Sequence, residues 1–188
     1  MTQESTSVLS RPLIAVAVGL AVLLAAGVAA LGLVLGTSST PPSDEAGRSG
    51  PLALVTVDAP AAASPECTTL VDKLPVGLPS GKDMLPRREI ASPAPVGAVA
   101  WGDAQHDPVV LRCGLNRPSE LSPTSELRVI SDVTWLVVDG SGAATWYVVD
   151  RPVYVALTVP GDAGTGPLQD VSTTIRDLLP KAPVKTTP

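Results

Sequence analysis

The chain has no phenylalanine, a single histidine, only two cysteines and no dense run of basic residues, and each shortage removes a class of function. Two cysteines and His106 cannot supply the four ligands of a structural zinc site, so no metal is expected. Ser-His-Asp catalysis needs its histidine beside an activated serine. Here His106 lies in the polar stretch Gly102-Asp103-Ala104-Gln105-His106-Asp107-Pro108, which reads as a turn, and no Gly-x-Ser-x-Gly elbow occurs. No cofactor-binding loop is present, and no cofactor is expected. With 18 acidic residues against 13 basic ones, and Arg87-Arg88 as the densest basic pair, nucleic acid is not the expected partner. Twenty prolines and sixteen glycines leave a loop-rich domain whose core must be built mainly from Ala, Val and Leu.

One long stretch lacks charge altogether. From Leu13 to Leu35 every residue is Leu, Val, Ile, Ala or Gly. As a helix this run reaches about 35 Å, enough to cross a hydrocarbon core with some tilt. Arg11 abuts it on the N-terminal side, whereas Gly36 to Ser43 carry no basic residue and Asp44 and Glu45 follow. The charge bias places residues 1–11 in the cytoplasm, a transmembrane helix at 12–35 and the remainder outside, so a membrane is the first partner. A cleaved signal peptide is the competing reading, with Val28-Ala29-Ala30 as its cleavage site. Leu31, Leu33, Val34 and Leu35 extend the run beyond what such a signal needs, which favours an uncleaved anchor.

Residues 36–64, with Pro41-Pro42, Pro51 and Pro60, read as a linker able to extend about 90 Å if polyproline-like throughout. Leu52 to Val57 within it is a candidate short strand. The exported domain is expected over 65–180, followed by a frayed tail at 181–188. Both cysteines, Cys67 and Cys113, fall in the exported part, where disulfides persist, and a bridge between them is the simplest pairing. A loop of that length contributes about 4 kcal/mol in the chain-entropy picture.

Ser64 suits a helix N-cap and Pro65 the first helical position, with Cys67, Leu70, Val71 and Leu74 on one face and Pro75 as the stop. From Val76 to Val96 no period is sustained, and coil is expected. Strand patterns follow at Ala98 to Trp101, Pro108 to Cys113 and Leu127 to Ser131. Val133 to Val138 and Ala144 to Val149 flank the turn Asp139-Gly140-Ser141-Gly142-Ala143 and form a hairpin signal. Pro152 to Val159 alternates strictly, and a last helix starts near Gly166-Pro167 with Leu168, Val171, Ile175, Leu178 and Leu179 on one face. The fold class is therefore α+β, a mainly antiparallel sheet framed by two helices after an N-terminal transmembrane helix.

Three side chains stand out as possible binding residues. Arg112 interrupts the apolar run Val109 to Cys113; it either faces solvent or an internal Asp, or grips an anionic ligand through its fork of donors. Trp101 and Trp135 lie in the most apolar strands, and serve as core or as the lining of a groove. The acids Asp103, Asp132, Asp139 and Asp150 sit at strand ends, where each has a turn or cap role available.

The N-terminal span, Cys67 with Leu70 and Leu74-Pro75, then Ala100-Trp101-Gly102-Asp103, Pro108-Val109-Val110-Leu111-Arg112-Cys113-Gly114, Arg117-Pro118 and Val133-Thr134-Trp135 together resemble the actinobacterial family called domain of unknown function 3515. The likeness implies a small membrane-anchored or secreted envelope protein with no assigned activity. At Val133-Thr134-Trp135 the chain departs from it, since the family pattern more often reads Val-Asp-Trp. The expected function is a single-pass envelope protein displaying a binding or scaffolding domain to an envelope protein or wall polymer. An envelope enzyme, such as a carboxylate-dependent hydrolase of wall polymer, is the alternative.

Anchoring is directly testable. The protein is expected to stay in the membrane fraction after carbonate washing, with a mass that includes residues 13–35; a soluble species beginning near Leu31 would show cleavage instead.

Overall fold

The computed structural model describes residues 50–186; the transmembrane helix expected at 12–35 and the flank before it lie outside the described residues. Helix α1, Pro65–Lys73, starts where Ser64, in extended conformation, accepts the N–H of Cys67. It ends as Leu74 turns extended ahead of Pro75. Eight strands follow: β1 Gly77–Ser80, β2 Asp83–Arg88, β3 Ala98–Trp101, β4 Val109–Leu115, β5 Leu127–Ile130, β6 Val133–Asp139, β7 Ala143–Val148 and β8 Tyr154–Pro160. Helix α2, Gly166–Leu178, closes the order.

The strands form one sheet in the order β1-β2-β3-β4-β8-β7-β6-β5, antiparallel at each pairing. Both helices lie on one face rather than on either side. Helix α2 touches β1 and β5, the two ends of the sheet, as well as β6 and β8, so the sheet curls around it. Helix α1 packs on α2 and β4. The main core fills this concave face with Leu70, Trp101, Leu111, Trp135, Leu157, Val171 and Ile175. Cys67 of α1 and Cys113 of β4 are joined within it, with Cα atoms 5.5 Å apart.

The pair β1–β2 occupies a stretch expected as coil. Pro79 and Pro86 sit inside these strands, and only Leu78, Ser80 and Leu85 are buried, so no apolar alternation long enough to read appears in the sequence. Pro79 is tolerated because β1 is an edge.

Two further segments depart from expectation. Residues 50–64 are docked and not extended: Leu52 makes a single parallel bridge with Ile90 in place of a strand. Arg88 donates to the Gly50 carbonyl at 2.9 and 3.1 Å, and Ala61 N–H bonds the Gly114 carbonyl at 3.0 Å. The supposed tail is docked as well. Ala182 N–H reaches the Asp150 carbonyl, Arg117 holds the carbonyls of Lys185 and Thr186, and Val184 packs on a second apolar cluster of Leu121, Leu136 and Val149 on the convex face.

Gly114 marks the place where the first of these segments is seated. It forms a bulge between Cys113 and Leu115 at φ +83°, and a Cβ there would stand 2.2 Å from the Ala62 nitrogen. Gly114→Ala is expected to destabilise the domain by on the order of 3 kcal/mol, combining left-handed strain with a backbone clash. Denaturant unfolding measures it, and an unchanged midpoint would contradict the seating of residues 59–64 on this bulge.

Candidate functional site: the cleft at Trp146

Trp101 and Trp135 are fully buried and are not brought together in a groove. Each ties one helix to the sheet. Trp101 Nε1–H donates to the Pro75 carbonyl at the end of α1 (2.9 Å). Arg87 lies 5.0 Å over its ring and donates to the carbonyls of Val71, Leu74 and Pro75. The guanidinium thus satisfies orphan acceptors at the helix C-terminus. Trp135 Nε1–H donates to Ser172 Oγ (3.0 Å), which in turn donates to the Leu168 carbonyl within α2.

Arg112 points to the convex face and donates to the Val55 carbonyl at 2.9 Å. It meets neither a carboxylate nor a cavity; it fastens the segment that crosses β4. The buried charges lie elsewhere, in Asp150 and Arg151 at the end of β7, paired at 2.8 Å. Thr134 donates both its N–H and its hydroxyl to Asp150, at 3.0 and 2.7 Å, a role an ionised aspartate side chain at 134 cannot fill. Arg151 donates to the Asp132 carbonyl in the β5–β6 turn, where Ser131 and Asp132 both adopt positive φ.

The third tryptophan is different. Trp146 on β7 is half-buried, and register aligns it with Val137 of β6 and Leu157 of β8 on the concave face. Its inner side packs on the main core while three hollows share it as a wall. One, of about 490 Å³, lies between the β6–β7 turn and the loop before α2, and is lined by Gly140, Gly142, Gly161 and Gly164. A second, of about 370 Å³, runs between β5 and the start of α2 along Val129, Ile130, Leu168 and Gln169. The third, of about 290 Å³, gathers Glu126, Arg128 and Asp139 around the ring. Sequence reasoning missed this site. The available signal is the position of Trp146 just after the glycine-rich turn Gly140-Ser141-Gly142.

Another hollow, of about 360 Å³, lies where the chain enters the domain, among Gly50, Pro51, Arg87, Arg88, Glu89 and Asp103. Its two arginines already hold main-chain carbonyls, so it offers structure rather than a ready anion seat. Near it, Asp103 accepts from the N–H groups of Gln105 and His106 and from the His106 ring at 2.9 Å. His106 is therefore a turn residue, as its surroundings suggest, with its ring held in the turn. Among the described residues no cluster of His, Cys, Asp and Glu is arranged to hold a metal.

A family model described as Protein of unknown function (DUF3515) matches residues 16–184, which takes in most of the apolar run together with the whole folded domain. No curated protein and no solved structure matches the chain.

The hydrogen bond that the His106 ring donates to Asp103 raises the His106 pKa above its ordinary value of 6.5, against opposing desolvation and with help from the charges of Asp103, Asp83 and Asp162. A raised folded value means that the contact's support is complete below 6.5 and fades as pH climbs through the folded value. Amide protection factors in residues 102–107, each measured rate being divided into the intrinsic rate at its own pH, are expected to be larger at pH 5.5 than at pH 8.5, a difference that Asp103→Asn should erase. Equal protection at both pH values would refute the ring contact.

Proposed function

The chain belongs to the DUF3515 family, and we propose that it is a membrane-anchored binding module that seats a component of the cell envelope in the cleft at Trp146. The Leu13 to Leu35 run is the anchor in this reading, with residues 1–11 cytoplasmic and the domain outside. A disulfide between Cys67 and Cys113 accords with an oxidising compartment.

One observation carries the binding role. Of three tryptophans, two are sealed in the core and act as helix ties, while the third meets three hollows at once beneath a rim of both charges. A concavity walled by an aromatic side chain that stays partly in contact with water, with a few convergent polar groups, is the usual composition of a ligand seat.

The hydrolase reading has its own supporting feature, since Glu126 and Asp139 line the same hollow. Glycoside hydrolysis by two carboxyls needs one of them held protonated, which enzymes achieve by burial. Both of these side chains are exposed, and binding is the better account.

Photo-crosslinking in cells tests the seat. A benzophenone side chain placed at Thr165, on the rim, is expected to capture an envelope component, and Trp146→Leu is expected to abolish capture. Leucine keeps apolar contact with the core, so the substitution should lower stability by only about 1–2 kcal/mol. Capture that is unchanged by Trp146→Leu would move the binding site elsewhere on the domain.

A further inference from the structure

Resting on the reading that this cleft is the binding seat, we infer that its ligand is a linear, uncharged glycan, with one pyranose ring stacked on the Trp146 indole and neighbouring units in the adjoining hollows. The shape argument comes first. A compact ligand needs one pocket, but here one half-buried indole walls three separate hollows, each of about 290 to 490 Å³, at the small end of ligand sites. A polymer with a repeat the size of one ring fits that layout.

Functional-group chemistry points the same way. One face of a pyranose presents C–H bonds that pack against an aromatic plane, while its edge presents hydroxyls that must both donate and accept. Around the Trp146 ring the carboxylates of Glu126 and Asp139 accept only, the guanidinium of Arg128 donates only, and Gln169 in the neighbouring hollow does both. The glycines at 140, 142, 161 and 164 leave main chain close to the surface of the largest hollow. Charge narrows the class further. The rim holds two carboxylates against one guanidinium and the whole chain carries a formal charge of −5, so a phosphate-rich or uronate-rich polymer is repelled.

The competing occupant is an extended peptide added to β5, an edge strand with Val129 exposed. Strand addition uses main chain at the edge and leaves the indole and both carboxylates without a role. The two alternatives separate cleanly. Ile130 and Val133 flank the two-residue turn and form a hydrogen-bonded pair, so alternation turns the Leu127 and Val129 N–H groups outward. Val129 also lines one of the hollows, whereas Leu127 packs on the convex cluster and starts the strand, so Leu127→Pro removes an edge donor while sparing the bonds to β6 and the lining of the seat.

The experiment uses the full chain in a polyoxyethylene detergent, which carries no sugar headgroup. It is titrated with hexasaccharides of β-1,4-glucan, α-1,4-glucan, mannan, galactan and β-1,4-linked N-acetylglucosamine, and with poly(glycerol phosphate) as the anionic control. Tryptophan emission and its quenching by acrylamide report on Trp146, since the other two indoles are buried. At least one neutral glycan is expected to shift the emission and protect the ring. In titration calorimetry, which does not depend on the indole as reporter, Trp146→Phe should weaken binding less than about 10-fold, Asp139→Asn by about 10-fold and Trp146→Leu by about 30-fold or more, with Leu127→Pro neutral.

Failure of every neutral glycan, with capture in cells still dependent on Trp146, would overturn the ligand class and leave the seat standing. Loss of capture on Leu127→Pro would replace the glycan by an added strand. Tighter binding of poly(glycerol phosphate) would overturn the charge argument. No glycan binding and no Trp146-dependent capture would remove the seat itself.

Discussion

The hydrogen bond from Trp135 to Ser172 fixes where α2 lies on the sheet, and the rest of the concave face is arranged around it. A helix of this length spans about 20 Å, whereas eight strands side by side make a sheet about 34 Å wide. One helix with a shorter companion cannot cover such a face if the sheet is flat. The sheet curls instead until both edge strands, β1 and β5, reach α2. At the β1 edge the approach is so close that a Cβ on Gly166 would stand 2.6 Å from the Pro79 carbonyl oxygen. The strip beyond the N-terminus of α2 stays uncovered, and Trp146 is the large side chain that falls in it.

The convex face receives no helix and is closed by irregular chain. Main-chain groups in such segments need partners, and arginines supply them. Arg88 holds Gly50, Arg112 holds Val55, and Arg117 holds Leu121, Lys185 and Thr186, each through a carbonyl oxygen. Arg87 and Arg151 do the same for the end of α1 and for the β5–β6 turn. A guanidinium has several donors in a fixed fork and stays charged, so it can gather two or three carbonyls that no regular ladder reaches. These arginines therefore act in a fold whose peripheral segments lack ladder partners, and their role is invisible to a search for ion pairs.

That distinction also decides what the sequence made legible. Strands β3 to β8 and both helices were readable because each buries a face at its own period, and Ser64 and Pro65 mark the start of α1 chemically. The bridge between the cysteines followed from the expectation of an exported domain and from the lack of any competing thiol. Strands β1 and β2 were hidden because Pro79 and Pro86 interrupt the alternating pattern and each strand sends only one large apolar side chain, Leu78 or Leu85, into the core. The docked ends were hidden because carbonyls carry no side-chain signature. Trp146 resembles Trp101 and Trp135 in sequence, each being an indole within a strand. Its place just after the Gly140-Ser141-Gly142 turn is a local difference, and the extent of α2 then decides that this indole is the one left in contact with water.

The buried pair Asp150–Arg151 bears on that cleft as well. Removing two charges from water costs several kcal/mol unless hydrogen bonds replace hydration, and here Thr134 supplies two to the carboxylate while Asp132 and Asp150 accept from the guanidinium. One donor, Arg151 Nε, remains without a partner, so the pair is not optimised for stability alone. Its geometric effect is specific. It clamps a turn in which Ser131 and Asp132 both hold positive φ, a conformation that persists only when the surroundings enforce it. The clamped turn fixes β5, and β5 fixes Arg128 at the cleft while Glu126 immediately precedes the strand. Hydrophobic residues in place of the pair would fill the same space, but they would leave the polar rim of the cleft without a fixed position.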